Sequence, residues 1–332
     1  MGKRALCLLL AVYLIGSWVC IPTTGASGPI VMKIGHAMPT NTPRHRGFLK
    51  FKELVEKKSK NTIKVEIYPA GQLGSEPELI EALQDGTLEG SRAGCYDLVS
   101  KKLLIYTMPF LFKKIEDVYK VTKGPFAEKI FRDAEKNGIV IITNGDGGGF
   151  RNITNNKRPI LVPDDLKGLK MRTPPIESIV KIMETLGAHP ISVPYGDTYM
   201  ALKTGLVDGQ ENPFVNTVTM RFNEVQKYVT ICNYQFHPEP FYISKKWWDT
   251  LEPKTKNLLT VCAWESQAYS DQLMRKANQD SYLVIKNSME VTVLSKAQKE
   301  AFIEKTKMVE EYFINKGYFS KQEINELRNL IK

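Results

Sequence analysis

A short pattern occurs twice in this chain at identical spacing: Ala82-Leu83, Gly86, Leu88-Glu89-Gly90, and then Ala201-Leu202, Gly205, Val207-Asp208-Gly209. Each copy reads as a helix, a glycine stop and a strand. So brief a match also arises by chance, and αβ units recur within single domains. At 332 residues the chain exceeds one typical core, and two similarly built α/β lobes are therefore the natural expectation.

The elements follow from periodicity. Ile30–Gly35 reads as a strand, Pro43–Ser59 as an amphipathic helix, and Thr62–Tyr68 as a second strand alternating Ile63, Val65 and Ile67. Ser75 with Glu78 three residues on is a capping box for the next helix. Leu103–Phe110 and Ile139–Thr143 read as further strands, and the glycine run Asn144–Gly149 as a flexible crossover between lobes. That run lacks the lysine and the spacing of a phosphate-binding loop. Strands are expected near Lys170, Ile191, Leu206 and Tyr228, with helices at Ile176–Leu186 and Asp197–Thr204. Beyond Pro253 no proline or glycine interrupts the chain to about Asn287, and Leu258, Cys262, Tyr269, Leu273 and Ala277 share helical spacing. Such a helix, about 50 Å long at 1.5 Å per residue, reaches across both lobes. Helices at Lys296–Asn315 and Lys321–Ile331 finish the chain.

The N-terminus carries Lys3 and Arg4, an apolar stretch from Ala5 to Val19, and the small-residue exit Thr24-Gly25-Ala26. This is a secretory signal pattern with cleavage expected after Ala26. The apolar stretch falls short of the roughly 18 to 20 residues that span a bilayer, and Trp18 and Val19 make a poor lipoprotein site before Cys20. Net charge is +10, but lysines alternate with acids along helices rather than clustering with aromatics, so a solvated basic surface is expected and nucleic acid is not. Cys95, Cys232 and Cys262 remain after the signal; no metal-binding spacing is present, and they read as small buried residues.

Two further runs carry chemistry. In Gly168-Leu-Lys-Met-Arg-Thr-Pro174, Leu169 and Met171 alternate with Lys170 and Arg172, and Thr173-Pro174 ends the strand with Arg172 near its carboxyl tip. That tip is where open α/β sheets place ligands, and a guanidinium there offers a permanently charged fork to a carboxylate. In Val207-Asp-Gly-Gln-Glu-Asn-Pro213 a second strand end, Leu206 to Glu211, presents Asn212 as a donor to the same anion. The alternative is that Arg172 pairs with a neighbouring acid on a solvated face.

Taken together, the signal, the two α/β lobes, Tyr68-Pro-Ala-Gly-Gln-Leu-Gly74 and the two runs above resemble the periplasmic solute-binding subunits of TRAP transporters, the DctP-like family. The resemblance implies a two-lobed periplasmic-binding-protein fold with a central cleft, hinge strands and a long helix spanning both lobes. It places lobe I at 27–148 plus 238–277 and lobe II at 149–237 plus 278–332. It also implies a periplasmic monomer without cofactor that delivers a small organic acid (a hydroxy or oxo acid, a dicarboxylate or a uronate) to TRAP membrane permease subunits. Arg172 takes the position that pairs with the ligand carboxylate, and Arg151 and Asn212 take positions that assist. Tyr195 matches an aromatic cleft-lining position, Glu76 and Gly94 match positions that tune specificity, His36 ends the first strand facing the cleft, and Phe236 is a candidate wall. The sialic-acid-binding branch has an acid where this chain has Gly94, so that sugar is not the expected ligand. For Glu76 a helix-dipole role, for His36 a structural role, and for Tyr195 and Phe236 core packing stand beside these readings.

A secreted enzyme acting on an organic or sugar acid is the alternative. It requires a nucleophile or acid–base pair near the cleft, and neither a GxSxG elbow nor an HExxH helix is present.

Overall fold

The computed structural model describes residues 28–332, so the signal segment expected at 1–26 lies outside the described residues. Among the described residues nine strands form one mixed sheet: β1 (Ile30–Gly35), β2 (Ile63–Tyr68), β3 (Gly90–Ser91), β4 (Ile139–Asn155), β5 (Lys170–Thr173), β6 (His189–Ser192), β7 (Gly209–Asn212), β8 (Tyr228–Ser244) and β9 (Glu290–Val293). Their order is β2-β1-β3-β8-β4-β7-β5-β6, with β9 also on β8.

β4 and β8 are 17 residues each and run antiparallel through the centre. At one end β8 pairs through Tyr242 and Ile243 with β3; at the other, β4 pairs through Asn152–Asn155 with β7, and β8 pairs through Tyr228–Ile231 with β9. Two parallel half-sheets thus share one pair of strands, and the carboxyl ends of β1, β3, β5 and β7 turn toward the gap between them. This is the two-lobed α/β arrangement with hinge strands.

Local chemistry explains the elements. Thr42 accepts from the backbone N–H of His45 and Pro43 opens the helix α1 (Pro43–Lys58). At α2 (Glu76–Asp85) the Glu78 carboxylate accepts from the Ser75 backbone N–H at 2.6 Å and from its hydroxyl at 2.7 Å. The glycine stop of each repeat copy is left-handed, with φ of 81° at Gly86 and 74° at Gly205, a conformation that disfavours a Cβ.

Three expectations are corrected. The segment expected as a strand at Leu103–Phe110 is a 3-10 helix over Lys101–Thr107, buried from Leu103 to Thr107; a short continuous apolar run does not distinguish a buried helix from a strand. The glycine run is no crossover loop but the middle of β4, where the register against β8 shifts between Asp146 and Gly149. The partner residues there include Pro238 and Pro240, which cannot donate ladder bonds, and the irregularity accommodates them. β7 begins at Gly209, and Leu206 is exposed.

The long helix spans Pro253–Ser288, 36 residues, but its buried face is shifted from the expected one. Tyr269 is exposed, and Leu259, Cys262, Ala263, Ser266, Gln267, Ser270, Asp271 and Met274 face inward. Small and polar residues are used because the neighbours come close: a Cβ on Gly47 of α1 would lie 2.9 Å from Cβ of Ser270. Farther along, Asn278 accepts from the backbone N–H of Val215, in the short helix that follows β7 in the other half of the molecule. The helix therefore touches both halves. Cys95, Cys232 and Cys262 are buried thiols.

Candidate functional site

A narrow cavity opens between the half-sheets, lined by Met38, Arg44, Glu76, Gly94, Arg151, Arg172, Pro174, Ile176, Tyr195, Asn212, Asn216 and His237. Arg172 stands on β5 between Ile191 of β6 and Gln210 of β7. Its Nε and Nη2 both donate to the Val193 carbonyl, at 3.0 and 2.7 Å. This clamp fixes the fork on one edge and leaves Nη1 without an acceptor among the described residues. No carboxylate of the described residues lies within ion-pair distance of Arg172, although the residue is only 1% exposed. Burial away from water pushes its pKa down to about 10, with Glu211 opposing and Arg151 adding to the shift. The face of Tyr195 lies 5.9 Å from its guanidinium carbon.

Arg151 is held differently. It ion-pairs with Glu211, donates from Nη2 to Glu211 Oε1 at 2.8 Å and to the Glu211 backbone carbonyl at 2.9 Å, and reaches Asn212 Oδ1 at 3.5 Å. Burial works against its charge, but Glu211 outweighs that and raises its pKa. Nη1 of Arg151 also donates to Nδ1 of His237 at 2.8 Å. An arginine can only donate, so His237 accepts at Nδ1 and its proton sits on Nε2. Burial, together with Arg151 and Arg44, keeps that ring neutral, its pKa far below the usual value.

Arg44 enters from the first turn of α1. It ion-pairs with Glu239, which Arg92 also binds at 3.1 Å, and its Nη1 lies 3.5 Å from Glu76 Oε1. Glu76 opens α2, where the helix N-terminus favours a carboxylate.

Of the sequence-predicted residues, Arg172, Arg151, Asn212, Tyr195, Glu76 and Gly94 line this one cavity. Phe236 and His36 do not. Phe236 is 1% exposed in the core, edge-on to Phe112 and Phe150. Its neighbour His237 faces the cavity instead, because successive strand residues point to opposite faces. His36 stacks on Phe48 and shares a hydrogen bond with His45 at 3.1 Å; burial, then Arg44, holds its pKa down to about 3. It is a neutral structural side chain. Sequence reasoning missed Arg44, Asn216 and His237. Arg44 follows a Thr-Pro helix start just beyond the first strand tip, which was a usable signal. The other two depended on strand parity and on a six-residue helix, Phe214–Thr219, after Pro213.

Residues 34–316 match the model of the bacterial extracellular solute-binding proteins of family 7, DctP. The chain is 34% identical over 263 residues to the C4-dicarboxylate-binding periplasmic protein DctP of Rhodobacter capsulatus, covering 78% of each chain. The sugar acid binding protein DctPAm of Advenella mimigardefordensis, solved in complex with galactonate, superposes with a TM-score of 0.86 at 29% identity, over 92% of this chain and 98% of that one. A TRAP periplasmic solute binding protein of Shewanella oneidensis with bound succinate gives 0.86 at 25% identity, over 92% and 100%. The chain belongs to the family 7 extracellular solute-binding proteins, the DctP-type solute-binding subunits of TRAP transporters.

Proposed function

We propose that the cleft captures a small organic acid whose carboxylate docks on Arg172, assisted by Asn212 and Arg151, and that the filled protein hands it to TRAP permease subunits. The observation that carries this reading is a buried guanidinium to which no described residue offers a counter-charge. A buried cation is costly without a paired anion, and among the described residues an anion is supplied to Arg151 and to Arg44 but not to Arg172. A ligand carboxylate fills that vacancy, and its contacts with residues of both half-sheets favour the closed arrangement over an open one. Relatives whose names or structures record succinate, galactonate and C4-dicarboxylates support the acid class. The matched proteins are binders of solutes, which favours this reading over a secreted enzyme.

With this reading go a signal cleaved after Ala26, export to the periplasm, a monomer, and lobes at 27–148 plus 238–277 and 149–237 plus 278–332. The topology favours such a division, since each half-sheet takes one end of β4 and β8.

The test is titration calorimetry of the purified chain with galactonate, succinate and the neutral galactitol. An acid should bind one to one and be recovered intact, and galactitol should not bind. Removing one partner of a buried pair costs about 3–5 kcal/mol, at about 1.4 kcal/mol per decade. Arg172→Ala should therefore weaken acid binding at least about a hundredfold; near-normal affinity in that variant overturns the assignment.

A further inference from the structure

The three arginines that line the cavity differ in what neutralises them. Arg44 shares Glu239 with Arg92 and has Glu76 beside it, Arg151 has Glu211, and Arg172 has no carboxylate among the described residues. Within ion-pair distance, four guanidinium groups meet three carboxylates among the described residues, a surplus of one positive charge. One ligand carboxylate balances that surplus. A second would have to settle near Arg44, the other cation of the opposite wall, where Glu76 already stands, and two carboxylates at one site repel each other.

The remaining polar atoms of the wall are mixed in character. Asn216 is 3% exposed, and its Oδ1 has no hydrogen-bond partner although the residue lines the cavity. The Tyr195 hydroxyl and Arg44 Nη1 are also buried without a hydrogen-bond partner, and His237 presents its Nε2 proton. Acceptors (Asn216 Oδ1 and the Glu76 carboxylate) thus alternate with donors. A ligand carboxylate at this end only accepts: it leaves Asn216 Oδ1 unpaired, at a cost for that buried group, and sets a like charge beside Glu76. A hydroxyl both donates and accepts, so a hydroxylated chain satisfies both kinds. Space is kept for it: a Cβ on Gly94 would lie 3.3 Å from Glu76 Oε2 and 3.6 Å from His237 Cε1, inside the gap between them.

We propose that the cavity selects small monocarboxylates that carry hydroxyl groups, and that Glu76, set against Arg44, is the residue that excludes dicarboxylates. This rests on the Arg172 reading above and adds to it the chemistry of the ligand's far end.

The experiment is calorimetry of the mature chain with galactonate, gluconate and erythronate against succinate and glutarate. The unsubstituted protein should bind at least one hydroxylated monoacid tenfold or more tighter than either diacid. Glu76→Gln leaves Arg44 with one carboxylate fewer, and the preference should shift toward the diacids by at least tenfold. Asn216→Leu, which removes no member of an ion pair, should weaken the hydroxylated acids by more than it weakens the diacids, and an equal effect on both counts against the hydroxyl contact. Equal or tighter diacid binding by the unsubstituted protein, or an unchanged ratio in Glu76→Gln, overturns the proposal. In either case the loss of all acid binding in Arg172→Ala would still uphold the parent reading. An unsubstituted protein that binds none of these acids loses both.

Discussion

The backbone N–H of Asp146 donates to Oδ1 of Asp271 at 2.9 Å, so a buried carboxylate of the long helix pins the irregular middle of β4. Asp146 in turn accepts from the backbone N–H of Gly148 at 2.9 Å and from that of Gly149. The glycine run is thereby organised by two acids.

These acids predict a pH dependence. Burial, with Asp271 adding to it, pushes the Asp146 pKa up to about 7, and the Asp271 pKa is raised mainly by burial too. The folded state therefore holds protons that the unfolded chain has released, and the stability contributed by Asp146 is full near pH 4 and lost as pH rises toward 7. Thermal unfolding of the native chain and of Asp146→Asn from pH 4 to 8 checks this. The Tm difference in favour of the native chain should shrink with rising pH and level off above 7.

Gly145→Ala should destabilise by about 1–3 kcal/mol, as overpacked sites do. The added methyl would run into the Gln267 side chain and lie 2.7 Å from Asp271 Oδ1. Urea unfolding should show a lower midpoint, with Gln267→Ala in the same chain restoring part of it.

Glu211→Leu should destabilise by about 3–5 kcal/mol, because it strands the buried Arg151. The same change removes the acceptor of the Tyr234 hydroxyl. Equilibrium unfolding in urea reads the loss directly.

Phe236 and His237 should separate stability from binding. Phe236→Ala opens a core cavity and should cost about 3–5 kcal/mol while leaving acid affinity within a few fold. His237→Leu should weaken a hydroxylated acid by tenfold or more with a smaller change in Tm. Differential scanning fluorimetry and calorimetry on both variants test the pair.

Much of this was legible in the sequence because the signals were local. The capping box at Ser75, the repeated glycine stops and the proline-terminated strand bearing Arg172 each declare themselves within a few residues. Arg172 and Glu76 sit beside such landmarks and Asn212 precedes Pro213, whereas Arg151, Tyr195 and Gly94 were indicated by the family resemblance; all six line one cavity. What stayed hidden was set by partners distant in the chain. The glycine run reads as a loop until β8 is laid beside it, and the inward face of the long helix is chosen by Gly47 and β4 rather than by its own apolar residues. Phe236 was one position off: the resemblance indicated the stretch of β8 that crosses the cleft, but which of two successive strand residues faces the cavity is settled only by how β8 lies against β4.

Because β4 and β8 each contribute one end to either half of the sheet, neither half is a detachable module. Excising one would leave the other with two amputated strands and a raw edge. Grafting experiments that aim to change what this protein carries are therefore better confined to the side chains around Glu76 and Asn216 than attempted by exchanging whole halves with a relative.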